Sequence, residues 1–475
     1  MAFKDLRQYI SALEEQGELR RVTKEVDWNL EAGAITRLVY EKGLPSPLFE
    51  NIKDYPGYRI LGAPISTFRK LAIALGLSPE TSIKELINIY LERKTKLIKP
   101  VIVDKSQAPC KENIDIGDQV DLLKFPAPML HDGDGGRYLC TWQINVTKDP
   151  DTGWVNWGCY RSMIVDRKTL AGLIEYQQDM RKHYQKYEAK NEPMPFAIAI
   201  GPDPLSFAVS GSSVMPGQSE VDVIGGIRRK PVPLVKCETN DLEVPAGAEI
   251  VIEGFVLPHV RVWEGPFGEF TGYRASPRDK RPVYQVTAIT YRDDPILTFN
   301  CPGIPHADFG STFFISGFAI EALKRVGINA RCWLVPESSY TMMVIAVKNP
   351  MPNVATMIKN TLTTQRGGSI YTFKFVVVND DLDIYDPGEI LWAISTRVHP
   401  RRGIIVSDEI CGPLTPYANL EERNKRNAPH LTFDGTWPLD WDPITATPQV
   451  SSFKSIYSQE TQDMVLRNWK EYGLD

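Results

Sequence analysis

The sequence lacks the features of several protein classes. Its unbroken apolar runs, such as 71–77 and 342–347, are far shorter than the roughly 18 residues of a membrane span, and it begins Met-Ala-Phe-Lys-Asp without an apolar leader. Lysine and arginine total 54 against 59 aspartates and glutamates, so the basic excess of nucleic-acid-binding proteins is absent. We therefore expect a cytoplasmic protein with a small-molecule ligand, and neither a membrane nor a nucleic acid as partner.

Paired cysteines are also missing. The seven cysteines are odd in number, widely scattered and never spaced as CxxC. This pattern argues against a disulfide framework and against a zinc site built from thiolates. We expect reduced and mostly buried thiols.

The chain is long enough for two or three domains, since it has 475 residues, of which 43% are hydrophobic. Helical spacing of Leu6, Tyr9 and Leu13 opens an N-terminal α/β region, and period-2 stretches after about Val120 indicate many short strands that form a barrel. Alternating strands and helices near the C-terminus indicate a second α/β unit. The expected fold class is mixed α+β. Predicted strands are 157–165, 195–200, 250–256, 283–291, 332–335, 343–347 and 373–378, and predicted helices are 170–184, 314–326, 354–363, 389–395 and 459–472.

Two pairs of polar residues could carry chemistry. Asn156 and Arg161 lie five residues apart on a predicted strand, so they face opposite sides unless a bulge or turn intervenes. Glu264 and Glu269 flank a Gly/Pro-bent segment that can aim both carboxylates into one cavity, where burial and a nearby arginine would suit general acid catalysis. Taken singly, each pair is more often solvent-exposed: a surface arginine with a turn-forming asparagine in the first case, and a loop with two solvated glutamates in the second.

Glu220 is the third feature, preceded by Ser210-Gly-Ser-Ser and followed by Gly225-Gly226. A lone glutamate is most often a surface acid. Together with an asparagine, however, such oxygen donors would suit a hard cation such as Mg²⁺ or Mn²⁺ better than zinc.

Six local motifs, in order along nearly the whole chain, resemble the UbiD family of prenylated-flavin-dependent decarboxylases. The matching stretches are Leu130-His-Asp-Gly-Asp-Gly-Gly-Arg-Tyr, Asn156-Trp-Gly-Cys-Tyr-Arg, Ser219-Glu220, Val235-Lys-Cys-Glu-Thr-Asn-Asp-Leu-Glu-Val-Pro, Glu264-Gly-Pro-Phe-Gly-Glu and Leu391-Trp-Ala-Ile-Ser-Thr-Arg. The resemblance implies a catalytic Glu-Arg-Glu network of Arg161, Glu264 and Glu269, with Glu269 as the proton donor.

The same resemblance implies a cofactor, prenylated FMN, tied to the protein through Mn²⁺ (or Mg²⁺). Its metal ligands would be Asn156, Glu220 and Asp179, where the family usually has a histidine; His183, one helical turn on, is the alternative to Asp179. The carbonyl of Trp154 would contact K⁺. The implied cofactor-binding residues are Asn156, Cys159, Tyr160, Arg161, Gln178, Asp179, Glu220 and Arg366, and His306 would line the substrate pocket.

The implied function is the reversible, non-oxidative decarboxylation of an aromatic or heteroaromatic acid, releasing CO2. Alternatives are a decarboxylase of acrylic or cinnamic-type acids, a metal-dependent hydrolase, or a non-catalytic flavin-binding subunit. A flavin prenyltransferase would supply the cofactor, and the chain would form a homodimer or homohexamer. The implied layout is an α/β domain (1–115), a split β-barrel cofactor domain resembling flavin reductases (116–310), a linker helix (311–328), an α/β oligomerisation domain (329–440) and a tail with a terminal helix (441–475).

Overall fold

The computed structural model describes residues 3–176, 178–215, 217–305, 309–339, 341–364 and 372–474. It has a mixed α/β architecture, as the sequence predicts. Among the helices of the described residues, none has the length and apolar character needed to cross a bilayer.

The first hundred residues form helices and short strands. Helix α1 begins where the Asp5 carboxylate accepts a hydrogen bond from the Gln8 N–H, and it buries Leu6, Tyr9 and Leu13, as their spacing predicts. The elements of this region are α1 (Leu6–Glu15), β1 (Leu19–Val22), α2 (Glu31–Lys42), β2 (Ser46–Phe49), β3 (Arg59–Gly62), α3 (Phe68–Ala74) and α4 (Ile83–Arg93).

Strands dominate the middle of the chain. The predicted strands at 195–200, 250–256 and 283–291 lie within β11, β14 and β15 as defined below. The elements are β4 (Val101–Ile102), β5 (Asn113–Ile116), β6 (Tyr138–Cys140), β7 (Gln143–Lys148), β8 (Val155–Gly158), β9 (Ser162–Asp166), β10 (Thr169–Gly172), α5 (Asp179–Ala189), β11 (Met194–Ile200), α6 (Pro204–Ser210), α7 (Glu220–Arg228), β12 (Pro233–Lys236), β13 (Glu243–Pro245), β14 (Ile250–Glu264), β15 (Asp279–Tyr291) and β16 (Ile296–Phe299). Strand β16 pairs with β3 and so completes the sheet β1-β2-β3-β16.

The main antiparallel sheet curls into a half-barrel. Within the described residues its strand order is β6-β9-β10-β15-β14-β11-β7-β8, with β5 also paired to β15. Strands β6 and β9 therefore form one edge, and β7 and β8 the other. Yet only residues 141–142 join β6 to β7, and only 159–161 join β8 to β9. Links this short reach only about 3.5 Å per residue, so the two edges must lie side by side along a seam.

Two predicted elements of this region were wrong. The predicted strand at 157–165 is two strands on opposite edges of the sheet, broken at 159–161. The predicted helix at 170–184 is strand β10 followed by an irregular stretch, and helix α5 starts only at Asp179. Residues 169–172 form a strand because they pair with both β9 and β15, and these hydrogen bonds outweigh the local helical spacing of the apolar residues.

The C-terminal region holds a second sheet, of order β17-β18-β19-β21-β20, in which β18, β19 and β21 run parallel. The predicted helix 354–363 is α9, whereas the predicted helix 459–472 ends earlier, at Arg467. The elements are α8 (Phe309–Arg325), β17 (Ala330–Leu334), β18 (Met342–Val347), α9 (Val354–Thr363), β19 (Lys374–Asn379), α10 (Pro387–Arg397), β20 (Ile404–Ile410), α11 (Leu420–Lys425), β21 (Asn427–Gly435), α12 (Phe453–Ile456) and α13 (Gln459–Arg467).

Candidate active site

Arg161, Glu264 and Glu269 converge, as predicted. The Arg161 guanidinium donates two parallel hydrogen bonds to Glu264, from Nε to Oε1 and from Nη2 to Oε2, both at 3.0 Å. Its Nη1 forms an ion pair with Oε1 of Glu269. All three side chains are less than a tenth exposed. One arginine from the seam therefore binds two carboxylates from a single bent segment.

The local sequence explains how this segment bends. Glu264 is the last residue of β14, and Gly265 has φ +79°, a left-handed conformation that favours glycine. Phe267 then turns inward, with its ring centroid 4.1 Å from that of Tyr138 and 5.1 Å from the Arg161 guanidinium carbon. The buried ring anchors the bend midway, so that Glu269 returns to the same arginine that binds Glu264.

Tyr138 binds Glu264 at Oε1, the oxygen that also accepts from Nε of Arg161. Its hydroxyl donates to Oε1 of Glu264 at 2.6 Å from the strand β6 side of the seam. Burial, together with the neighbouring Glu264, raises the pKa of Tyr138 well above its usual value. The phenol therefore stays a neutral donor, and Glu264 accepts hydrogen bonds from both Tyr138 and Arg161.

The seam also positions Asn156, Cys159 and Tyr160. The Asn156 amide donates to the Tyr160 hydroxyl at 3.2 Å, and the Cys159 thiol donates to the Gln143 carbonyl at 3.1 Å. The Tyr160 N–H donates to the Asn145 side chain at 3.1 Å. Because the backbone leaves strand geometry at 159–161, the prediction that Asn156 and Arg161 face opposite sides of one strand does not apply.

Glu220 contacts strand β8 at the residue after Asn156. Glu220 opens helix α7, is 1% exposed, and accepts a hydrogen bond from the N–H of Trp157 at 3.2 Å. Trp154, just before β8, donates from its indole to the Gln218 carbonyl at 3.3 Å, and its own carbonyl accepts from the N–H of Asp149 at 2.8 Å.

Asp179 opens helix α5, which packs on β8 as α7 does. One Asp179 oxygen lies 3.0 Å from the Lys182 ammonium. His183 lies one turn further on; it is buried, with Nδ1 at 3.0 Å from the Thr147 hydroxyl and its ring against Trp154. Gln178 accepts a hydrogen bond from the Glu175 N–H at 2.8 Å.

The described residues contain no group of three or more histidine, cysteine, aspartate or glutamate side chains arranged to hold a metal. This finding tests neither the predicted set nor the alternative with His183 in place of Asp179, because one donor of each set is the amide of Asn156. All three members of the predicted set offer oxygen, the donor that Mn²⁺ and Mg²⁺ prefer, and among the residues that the structure describes the buried Gln218 oxygen, two residues before Glu220, has no hydrogen-bond partner. The side chains therefore fit such a cation.

Glu175 belongs to this site but was not predicted. It is 5% exposed, and its buried Oε1 has no hydrogen-bond partner among the described residues. Burial raises the pKa of Glu175 to about 7, and the charges of Arg281, Arg161 and Glu264 act on it as well. Glu175 is part of no motif. Because a helix was predicted at 170–184, the sequence did not indicate that Glu175 follows strand β10, which pairs with β9 next to Arg161.

His306 and Arg366, predicted for the substrate pocket and the flavin phosphate, lie outside the described residues. That His306 lines the substrate pocket and that Arg366 contacts the flavin phosphate therefore stay predictions.

Known proteins match the chain along its length. Models of 3-octaprenyl-4-hydroxybenzoate carboxy-lyase match successive parts: its N-terminal domain at residues 10–90, its Rift-related domain at 101–305 and its C-terminal domain at 315–428. Pyrrole-2-carboxylic acid decarboxylase of Pseudomonas aeruginosa is 32% identical over 99% of this chain and 98% of its own. Ferulic acid decarboxylase 1 of Saccharomyces cerevisiae is 34% identical, again over 99% and 98%.

Solved structures share the fold. Vanillic acid decarboxylase of Sedimentibacter hydroxybenzoicus in closed form matches with a TM-score of 0.90, at 28% identity over 99% of both chains. An evolved dimeric form of the UbiD-class enzyme HmfF from Pelotomaculum thermopropionicum, in complex with prFMN, matches with a TM-score of 0.79, at 29% identity over 93% of this chain and 97% of its own. The matched domains and the full-length relatives show that this chain belongs to the UbiD family of carboxy-lyases.

Proposed function

We propose that the chain is a prenylated-FMN-dependent decarboxylase of an aromatic or heteroaromatic carboxylic acid, non-oxidative and reversible, with Glu269 as the proton donor. The observation that carries the proposal is the buried Arg161, which binds Glu264 through two hydrogen bonds and pairs with Glu269. Membership of a carboxy-lyase family favours this function over a metal-dependent hydrolase or a non-catalytic flavin-binding subunit.

The charge of the cluster suits a proton donor. Two carboxylates share one guanidinium, so a single proton makes the group neutral. Glu264 accepts hydrogen bonds from both Arg161 and Tyr138, whereas Glu269 pairs with the remaining Nη1 of the guanidinium, so we place that proton on Glu269. As CO2 leaves, Glu269 gives its proton to the carbon that carried the carboxylate; in carboxylation it takes that proton back.

Prenylated FMN, when bound, would supply the electron sink for the charge left by CO2. The related HmfF structure holds prFMN, which supports the assignment. Arg161 and Gln178 would contact the cofactor, as would Cys159 and Tyr160 at the seam. Asn156, Asp179 and Glu220 would hold its Mn²⁺ or Mg²⁺, and the Trp154 carbonyl, which already accepts one hydrogen bond, has a second lone pair for K⁺. A flavin prenyltransferase would supply the cofactor.

Glu175 favours a ring acid that carries a hydrogen-bonding group. A buried carboxyl group with an unpartnered oxygen, close to Arg161 and Glu264, can recognise a phenolic hydroxyl or a ring N–H. Similarity to pyrrole-2-carboxylic acid decarboxylase supports this substrate class. The similarity to ferulic acid decarboxylase 1 supports the alternative, an acrylic or cinnamic-type acid.

The decisive test is CO2 release by protein co-expressed with a flavin prenyltransferase and purified with Mn²⁺ and K⁺. Pyrrole-2-carboxylic, vanillic and ferulic acids would be compared as substrates, with protein expressed without the prenyltransferase as control. Turnover of the two ring acids with retained flavin absorbance supports the proposal. Turnover of ferulic acid alone favours the alternative, and flavin-containing protein that releases CO2 from none of them contradicts both.

We further propose that the predicted domain limits and a homodimeric or homohexameric assembly apply to this chain. The tail after 440 presents exposed apolar side chains, among them Ile444 and Leu466, and helix α13 buries none of its residues. The related HmfF structure is a dimeric form, so the partner that we propose is a second copy. Light scattering on the full chain and on a chain ending at residue 440 tests this: a monomeric full chain would contradict it.

A further inference from the structure

A histidine–aspartate pair, partly buried at His131 and fully buried at Asp134, contacts the segment between Glu264 and Glu269. His131 and Asp134 lie in a tight turn of the Leu130–Gly136 segment, where Nδ1 of His131 is 2.8 Å from Oδ2 of Asp134. The Asp134 side chain is fully buried. Neither residue touches Arg161, Glu264 or Glu269 directly, so the reaction derived above does not use them.

The turn anchors that segment at two backbone atoms. The other oxygen of Asp134 accepts a hydrogen bond from the Gly268 N–H at 2.9 Å, and the Gly135 N–H donates to the Pro266 carbonyl at 2.7 Å. Gly268 immediately precedes Glu269. The backbone from which the predicted proton donor projects is therefore fixed by the Asp134 carboxylate.

The fit between the two segments leaves no room for side chains. A Cβ atom on Gly268 would lie 2.6 Å from Nδ1 of His131, and one on Gly135 would lie 2.0 Å from the Gly265 carbonyl oxygen. Both glycines are therefore needed for the close approach of the two backbones. The contact is a packed interface and holds the bend from one side.

His131 is held from its other side as well. Its Nε2 lies 2.8 Å from the Pro302 carbonyl oxygen, which can only accept a hydrogen bond. Since the Asp134 carboxylate also only accepts, both ring nitrogens must carry a proton and the ring is an imidazolium. Burial opposes this charge, but the hydrogen bonds to Asp134 and Cys301 prevail and raise the pKa of His131 to about 10. A charged ring strengthens the bond that orients Asp134.

We propose that His131 and Asp134 are positioning residues for proton transfer: they set the place of Glu269 by holding the Gly268 N–H. This inference rests on the proposed role of Glu269. Displacing a catalytic group by about 1 Å can cost about 100-fold in rate, so loss of the pair should affect the proton-transfer step rather than substrate binding.

The test uses holoenzyme carrying Asp134→Asn or His131→Gln. In Asp134→Asn the amide cannot accept from both neighbours as the carboxylate does, and kcat should fall about 10- to 100-fold with KM nearly unchanged. Exchange of solvent deuterium into the product should slow by the same factor, because it depends on proton transfer by Glu269 and not on cleavage of the bond to CO2. His131→Gln, which keeps the Asp134 carboxylate, should give a smaller fall in both rates.

Glu253→Gln is the matched control. Glu253 is also fully buried, accepts hydrogen bonds from two backbone N–H groups, of Glu238 and Thr239, and lies near a cation, Lys111, at 3.3 Å. It lies eleven residues before Glu264 on the same strand. We expect a lowered melting temperature in this variant without a selective loss of deuterium exchange into product. Backbone hydrogen exchange of residues 264–273 should quicken in Asp134→Asn and not in the control.

The outcomes separate the two proposals. If Glu269→Gln is inactive while Asp134→Asn and His131→Gln match wild type, positioning is overturned and the donor role stands. If Glu269→Gln retains turnover, the donor role fails and positioning fails with it. A fall in kcat for Asp134→Asn no greater than that for Glu253→Gln would reduce His131 and Asp134 to a structural role, as would unchanged backbone exchange at 264–273.

Discussion

Two acidic groups at the site balance their charge in different ways. In the Arg161–Glu264–Glu269 cluster the protein supplies the counterion, and each contact is short and buried. The proposed metal set of Asn156, Asp179 and Glu220 carries two negative charges and no positive one among its members. The first group is pre-organised by its own side chains. In the second, the Lys182 ammonium lies 3.0 Å from one Asp179 oxygen, and we propose that a divalent cation supplies the further positive charge.

The difference concerns what each group can do. A cluster that is nearly neutral and held by buried hydrogen bonds and an ion pair can hold one proton in place and release it in a fixed direction. A set of buried oxygen donors with excess negative charge gains most from binding a divalent ion. Variants in the two groups should therefore fail differently: the first in turnover, the second in retention of metal and cofactor.

The largest expected effect is on turnover, from Glu269→Gln. The amide keeps the shape of the side chain but cannot give up a proton, so the decarboxylation rate should fall about 10²- to 10⁴-fold. Product formation and deuterium exchange into product, measured on protein with equal flavin content, check this. Glu188→Gln, which removes an acid paired with Arg261 away from the cluster, is the control and should stay close to wild type. Near wild-type exchange in Glu269→Gln would refute the donor role.

The second effect is on metal retention, from Glu220→Gln. The amide oxygen can still accept from the Trp157 N–H, so the helix start is preserved, but one negative charge is lost. We expect Mn²⁺ affinity to fall about 10- to 100-fold or more, and flavin retention to fall with it. Metal content after dialysis, together with flavin absorbance, measures this.

Asp222→Asn removes the same charge two residues along helix α7 and serves as the control for the metal experiment. Equal Mn²⁺ retention in Glu220→Gln and Asp222→Asn would show that Glu220 is not a ligand. The comparison between the two acidic groups would then lose its basis.

Much of the site was predictable because its residues lie in motifs. The Gly/Pro-bent segment at 264–269 indicated that its two carboxylates converge, and the bend at Gly265 carries this out as expected, whereas the part of Arg161 in the network was implied by the family resemblance. The family and its carboxy-lyase chemistry followed from the same motifs and are confirmed. Strand periodicity alone could not place Asn156 relative to Arg161, since that depends on the seam where β8 crosses to β9.

What was missed depends on tertiary structure. Glu175 carries no motif, and its buried position follows from the pairing of β10 with β9 and β15, which local helical spacing does not reveal. The contact of His131 and Asp134 with Gly268 joins segments more than 130 residues apart. A motif marks such residues without showing which backbone atom they hold.

The smallest effect we expect is on the pH dependence of stability, from Glu175→Gln. Burial raises the pKa of Glu175 to about 7 from 4.5, so the folded protein keeps a proton that the unfolded chain releases. Stability therefore falls as pH rises from about 4.5 to 7, by on the order of 3 kcal/mol at most, and then levels off.

The glutamine of Glu175→Gln carries no charge to bury, so the melting temperature of this variant relative to wild type should rise between about pH 5 and pH 8. Glu188→Gln should show no such rise: although burial opposes ionisation, the bond from Arg261 lowers the pKa of Glu188, so this acid is ionised in both the folded and the unfolded chain between about pH 5 and pH 8, and its stabilisation is lost only as the pH falls below about 4.5. Parallel melting curves for Glu175→Gln and wild type would show that Glu175 is not held protonated beside Arg161, and would remove the neutral carboxyl group invoked for substrate recognition.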